Sequence, residues 1–126
     1  MCQRTVLVVE DEPLIRITLA DVLEDAGFRV IEACNVLEAV AALGRYEINA
    51  VVTDIDMPGG LSGLDLARTV SSTHPTTAVI VVSGGHRPSQ SDLPDRATFL
   101  PKPYRLDVIA ATVESFVGSG GQRLAS

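Results

Sequence analysis

The sequence predicts an α/β fold, a doubly wound five-stranded parallel sheet, and three observations lead there. First, residues 5–9 (TVLVV), 50–53 (AVVT) and 78–82 (AVIVV) are near-continuous apolar runs rich in Val and Ile. Runs of that kind suit strands buried on both faces by covering helices. Second, the stretches between them place apolar residues at helical spacing. Third, 126 residues, 46% hydrophobic and 21% charged, make one domain's worth of chain. Such a chain buries about two-thirds of its unfolded surface in a single core, and its composition excludes wholesale disorder. Right-handed crossovers between successive strands then give the layered, doubly wound arrangement.

Taken in order, residues 5–9 form the first strand. Residues 13–26 follow as a helix that opens on Pro13, carries Ile15, Leu19, Val22, Leu23 and Ala26 on one face, and stops at Gly27. Residues 29–33 are shorter and more mixed, which places them at a sheet edge. Asn35 can cap a second helix with Val36, Ala39, Val40 and Leu43 on one stripe and Gly44 as its stop. After the strand at 50–53, the helix at 63–73 buries Leu66, Ala67 and Val70. The strand at 78–82 is followed by residues 84–96, which hold two Gly, two Pro and little apolar content. The fourth helix is therefore expected to be short or missing. Residues 98–101 read as the other edge strand, and 105–117 as a last helix with Leu106, Ile109, Ala110, Val113 and Phe116 at helical spacing. Residues 1–117 are expected to be the domain, and the small, polar residues 118–126 a flexible tail.

Composition narrows the function. Acids outnumber bases 16 to 10, for a formal charge of −6, whereas sequence-independent nucleic-acid binding needs clustered Lys and Arg. Three Phe, two Tyr and no Trp supply little stacking surface for bases. Cys2 and Cys34 are too few for a disulfide framework and lack the neighbours of a zinc site, so both read as ordinary residues. His74 and His86 lie in polar stretches and read as solvated. No apolar run approaches the roughly 20 residues of a membrane span. The N-terminal four-residue apolar run leads straight into three acids, unlike a secretory signal. The expected location is the cytoplasm, with neither nucleic acid nor membrane as a partner.

In open α/β sheets ligands sit beyond the carboxyl ends of the strands, near the point where strand order reverses. Glu10, Asp11 and Glu12 follow the first strand; Asp54 ends the third, with Asp56 two residues on; Ser83 follows the fourth; and Lys102, the single lysine, follows the fifth. Glu12 reads as a solvated first-turn charge. Glu10, Asp11 and Asp54 bring three negative charges against one positive charge on Lys102. Two carboxylates about 5 Å apart repel by roughly 3 kcal/mol at an effective dielectric near 20. Lys102 alone does not offset three such pairs, and a divalent cation would. An all-oxygen acidic site facing solvent suits Mg²⁺, and without it the carboxylates should hold protons more tightly.

Four segments, VLVVEDE (6–12), VVTDIDMP (51–58), VIVVSGG (79–85) and FLPKPY (99–104), together resemble the response-regulator receiver domain of two-component signalling. They stand in the family's order and spacing, and the resemblance covers residues 5 to about 117. It implies a flavodoxin-like sheet with strand order 2-1-3-4-5. It further implies that Asp54 is the phosphoacceptor. Glu10 and Asp11 would be the acidic pair that holds Mg²⁺ beside it, with a backbone carbonyl added by Asp56. Ser83 would be the hydroxyl that follows the phosphoryl group, Lys102 the lysine that pairs with it, and Phe99 the aromatic that changes rotamer. The phosphoryl donor would be a sensor histidine kinase or a histidine phosphotransfer protein, and the reader an unidentified downstream protein. A chain of this class is not a conventional turnover enzyme; it catalyses its own phosphorylation and dephosphorylation.

Two departures stand out. The family's common pattern has a Gly eight residues after the phosphoacceptor, and here Gly63 lies at nine. Phe99 lacks the hydroxyl of a Tyr, so its switching would be steric. Two other functions compete. The Asp54–Asp56 pair also resembles the D-x-D of haloacid-dehalogenase-like phosphatases, but in that family the second acidic pair follows the D-x-D, and here it precedes it. A receiver-like module that binds partners without phosphorylation would be favoured by loss of Asp54, Lys102 or the acidic pair, and none is lost.

Overall fold

In the computed structural model of the chain, which describes residues 3–57, 60–85 and 87–118, β1 (Thr5–Val9), β3 (Ala50–Asp54) and β4 (Ala78–Ser83) are buried at every position. No side of these strands can face water, so they take the centre of the sheet. The mixed segments β2 (Arg29–Ala33) and β5 (Ala97–Pro101) take its edges, giving the all-parallel order β2-β1-β3-β4-β5. The order reverses between β1 and β3, which opens a crevice beyond their carboxyl ends.

Helices cover both faces. On one, α2 (Val36–Arg45) and α3 (Gly63–Thr73) pack Ala39, Leu43, Leu66, Ala67 and Val70 against Leu7, Val9, Val51, Val79 and Val81. On the other, α1 (Pro13–Asp25) and α4 (Leu106–Val113) pack Leu19, Leu23, Ile109 and Val113 against Val6, Val8, Val52, Ile80 and Val82. Alternation along each strand thus feeds two cores. Asn35 caps α2 by accepting from the Glu38 N–H at 2.8 Å. Ser62 and Asp65 form a reciprocal capping box on α3.

Among its described residues the fourth crossover has no α-helix. They include a 3₁₀ turn at Gln90–Asp92, in which the Asp92 carboxylate accepts from the Ser89 N–H and hydroxyl. Leu93 packs from this loop onto the α2–α3 core. Arg96, at φ 67°, turns the chain into β5.

Several expectations are corrected. Gly44 does not stop α2; the helix runs through it to Arg45 and ends where Tyr46 turns extended. Val40 and Ala26 face solvent rather than the core. The last helix is α-helical only to Val113 and widens into π-type turns over Glu114–Gly118. Of the tail, residues 119–126 lie outside the described residues, as do Cys2 and His86. Among the described residues no helix is long and apolar enough to cross a membrane.

Candidate functional site

Each strand end delivers one part of the site. At the end of β1 the chain turns sharply. The Glu10 N–H reaches the Ala33 carbonyl at 3.0 Å, while Glu10 Oε2 accepts from the Glu12 N–H at 3.1 Å. This turn folds the Glu10 side chain inward, 2% exposed, and leaves Asp11 more open to water. Asp54 closes β3 at 7% exposure. One carboxylate oxygen from each of Glu10, Asp11 and Asp54 lies within 4.8 Å of the others. The three acids nominated in the sequence therefore converge.

Lys102 follows β5, its N–H bonded to the Ser83 carbonyl at 3.0 Å, and its ammonium donates to Asp54 Oδ2 at 2.7 Å. The other oxygen, Asp54 Oδ1, accepts from the Asp56 N–H at 3.2 Å. Asp56 does not add its carboxylate to the acidic trio; its Oδ2 accepts from Ser83 Oγ at 3.1 Å. Phe99 is half-buried against the α2–α3 core, with the Arg87 guanidinium 5.7 Å from its ring centre.

The electrostatics follow the geometry. Burial, reinforced by the charge of Asp54 and by Asp11, pushes Glu10 up to about 7, against the smaller opposing effects of the Glu12 N–H and Lys102. Like charge and poor solvation thus favour a proton on Glu10 when no cation is bound. Burial of the Lys102 ammonium works to lower its pKa. Its hydrogen bond to Asp54 and the charges of Asp54 and Glu10 outweigh that together and hold it above the usual lysine value. Carboxylate oxygens in a partly open crevice form the hard donor set that Mg²⁺ takes, with room for the waters it retains. The residues present fit that ion.

The sequence singled out Gly63 only by its spacing, not by its contact with Asp54, and missed Leu14 and Ile17. Gly63 donates its N–H to the Ile55 carbonyl at 2.9 Å, and a β-carbon there would overlap the Asp54 carbonyl. In the segment between Asp54 and Gly63, Gly60 adopts φ +84°. Leu14, 78% exposed, and Ile17, 48% exposed, stand on the solvent side of α1. A groove of about 450 Å³, lined by Ile15 of the same helix and by Gly84, Pro103 and Tyr104, opens onto Lys102. Leu14 and Ile17 fall off the helical stripe of α1, and that misfit was the available signal.

The strand order thus reverses at an acidic crevice in which a lysine is paired to a strand-end aspartate. The family model for the response regulator receiver domain matches residues 6–114, and the chain belongs to that family. It is 36% identical over 118 residues to the sensor kinase CckA of Brucella abortus, covering 90% of this chain and 12% of that protein. The chain thus spans only a small part of that relative's length. Among solved structures, a response regulator receiver protein from Sinorhizobium medicae superimposes with a TM-score of 0.84 at 25% identity, over 92% of this chain and 95% of that one. Response regulator TrrA of Thermotoga maritima, solved in complex with Mg²⁺-BeF, gives a TM-score of 0.79 at 28% identity, over 91% of this chain and all of that one.

Proposed function

We propose that this chain is a phosphorylation-dependent switch in two-component signalling, with Asp54 as the phosphoacceptor. The observation that carries the reading is the convergence of Glu10, Asp11 and Asp54 within 4.8 Å, with Lys102 bonded to Asp54. A carboxylate oxygen of Asp54 attacks the phosphorus of a phosphohistidine on a sensor kinase or phosphotransfer protein. The new O–P bond forms as the donor's N–P bond breaks, and the freed imidazole takes a proton. Such transfers depend mainly on positioning and charge stabilisation.

Glu10, Asp11 and Asp54 would hold Mg²⁺ through their carboxylates, and Asp56 through its backbone carbonyl. When bound, the ion neutralises charge on the transferred group. Lys102 moves from the resting carboxylate to a phosphoryl oxygen. Ser83 exchanges its bond to Asp56 for another phosphoryl oxygen, drawing the loop after β4 inward. Phe99 then shifts against Arg87, and a downstream protein reads the altered surface. The exposed Leu14 and Ile17 on α1 offer the donor protein an apolar landing area. The likeness to TrrA, whose structure contains Mg²⁺-BeF, supports the metal assignment, and a cytoplasmic setting suits a kinase partner.

The test is incubation with a small acyl phosphate and Mg²⁺ followed by intact mass. The native chain should gain one phosphoryl group, and Asp54→Asn none. Steady turnover of a phosphomonoester would instead favour a phosphatase.

A further inference from the structure

We propose that Arg16 is a positioning residue for the metal-binding turn, holding the Glu10–Asp11 peptide in the orientation that aims both carboxylates at Asp54. This rests on the reading of those three acids as Mg²⁺ ligands.

Arg16 lies in the first turns of α1 and touches none of the three carboxylates' metal-facing cluster. Its Nη1 donates to the Glu10 carbonyl at 3.0 Å, and its Nε donates to Glu32 Oε1, on edge strand β2, at 3.1 Å. The Arg16 side chain is 19% exposed and that of Glu32 41%. Since the Glu10 N–H is already tied to the Ala33 carbonyl, the Arg16 bond fixes the second side of that residue's backbone. The carbonyl it grips belongs to the peptide unit leading into Asp11. With both sides held, the turn has one arrangement, and Glu10 and Asp11 cannot drift apart to relieve their repulsion. Glu32 in turn keeps the guanidinium plane aligned. The planar fork aims its donors in two fixed, well-separated directions, whereas the three donors of an ammonium radiate from one point and cannot span both acceptors with that geometry.

Charge and positioning predict opposite signs, which makes the proposal testable. Removing a cation near a cation site should, by charge alone, tighten metal binding. If Arg16 positions the turn, its removal loosens binding, by about 10-fold on the scale of groups that orient metal ligands. Mg²⁺ demands near-octahedral order, whereas Ca²⁺ tolerates irregular oxygen sets, so Mg²⁺ should lose more.

The experiment is calorimetric titration of the full chain with Mg²⁺ and separately with Ca²⁺, for the native protein, Arg16→Ala and Arg16→Lys, with folding checked by circular dichroism. The expected result is Mg²⁺ binding about 10-fold weaker in Arg16→Ala and weakened to a smaller extent in Arg16→Lys, with Ca²⁺ affected less in both. Arg16→Lys keeps the charge, so it carries the test if the alanine variant does not fold. Unchanged or tighter Mg²⁺ binding in the variants, or equal losses for both ions, overturns the positioning role. A native chain that takes up no Mg²⁺ overturns the metal reading beneath it.

Discussion

Gly63 and Asp54 meet backbone to backbone: a β-carbon on Gly63 would overlap the Asp54 carbonyl oxygen and stand 2.8 Å from its carbonyl carbon. The start of α3 therefore rests on the residue whose carboxylate faces the acidic crevice. Only a residue without a side chain allows that approach.

Gly63→Ala is accordingly expected to cost about 1–3 kcal/mol, the usual penalty for forcing a methyl into a packed site. Urea denaturation measures it. Because the displaced group is the Asp54 backbone, phosphoryl uptake per folded molecule should fall as well. A variant with native stability and native uptake would show that the loop gives way freely.

Lys102→Met separates two effects of one charge. Without the ammonium the acidic trio loses the positive neighbour that repels a cation, so Mg²⁺ should bind several-fold more tightly. Phosphoryl uptake should nonetheless slow by about a hundred-fold, because one preorganised positive donor is gone from the reacting oxygens. Calorimetry and a mass-based time course report the two quantities independently. Weaker metal binding together with unchanged uptake would contradict the assignment of Lys102.

Ser83→Ala removes the hydroxyl that donates to Asp56, at a cost of about 1 kcal/mol. The adduct on Asp54 should still form. The response of the β4–β5 loop should be lost, so amide and Phe99 ring NMR shifts should change on phosphorylation in the native chain and stay put in the variant. Full shifts in Ser83→Ala would remove Ser83 from the switch.

The acidic turn also sets a pH dependence. In the metal-free fold Glu10 is pushed up to about 7, chiefly by burial, from an ordinary value of 4.5. A carboxyl whose folded pKa is raised gives its relative stabilisation fully below the unfolded value and loses it as pH climbs through the folded one. Metal-free stability should thus decline between about pH 4.5 and 7 and then level off on this account. Lys102, held above its usual value, stays charged throughout that window and does not mask the trend. Mg²⁺ competes with the proton on Glu10, so its thermal stabilisation should be larger at pH 8 than at pH 5.5. Equal Mg²⁺ shifts at both would place Glu10 outside the metal site.

The parts legible in sequence were those fixed by local pattern. TVLVV and AVIVV could only be central strands, because neither offers a face to water. The same logic located Glu10, Asp11, Asp54, Ser83 and Lys102 at one edge, since every parallel strand ends on the same side. The poverty of residues 84–96 in apolar side chains was enough to remove a helix. What escaped depends on tertiary distances. Gly44 looked like a stop, yet Arg45 completes the last turn of α2 before Tyr46 ends it. Ser83 bonding Asp56, and Arg16 reaching the Glu10 carbonyl, join residues that no periodicity relates.

The most direct measurement is chemical trapping of the modified side chain. After exposure to a small acyl phosphate and Mg²⁺, borohydride reduction converts an aspartyl phosphate to homoserine, and peptide mass spectrometry locates it. The account predicts homoserine at position 54 and nowhere else, dependent on Mg²⁺. Homoserine at Asp11 or Asp56, or none at all from a folded, Mg²⁺-loaded chain, would contradict it.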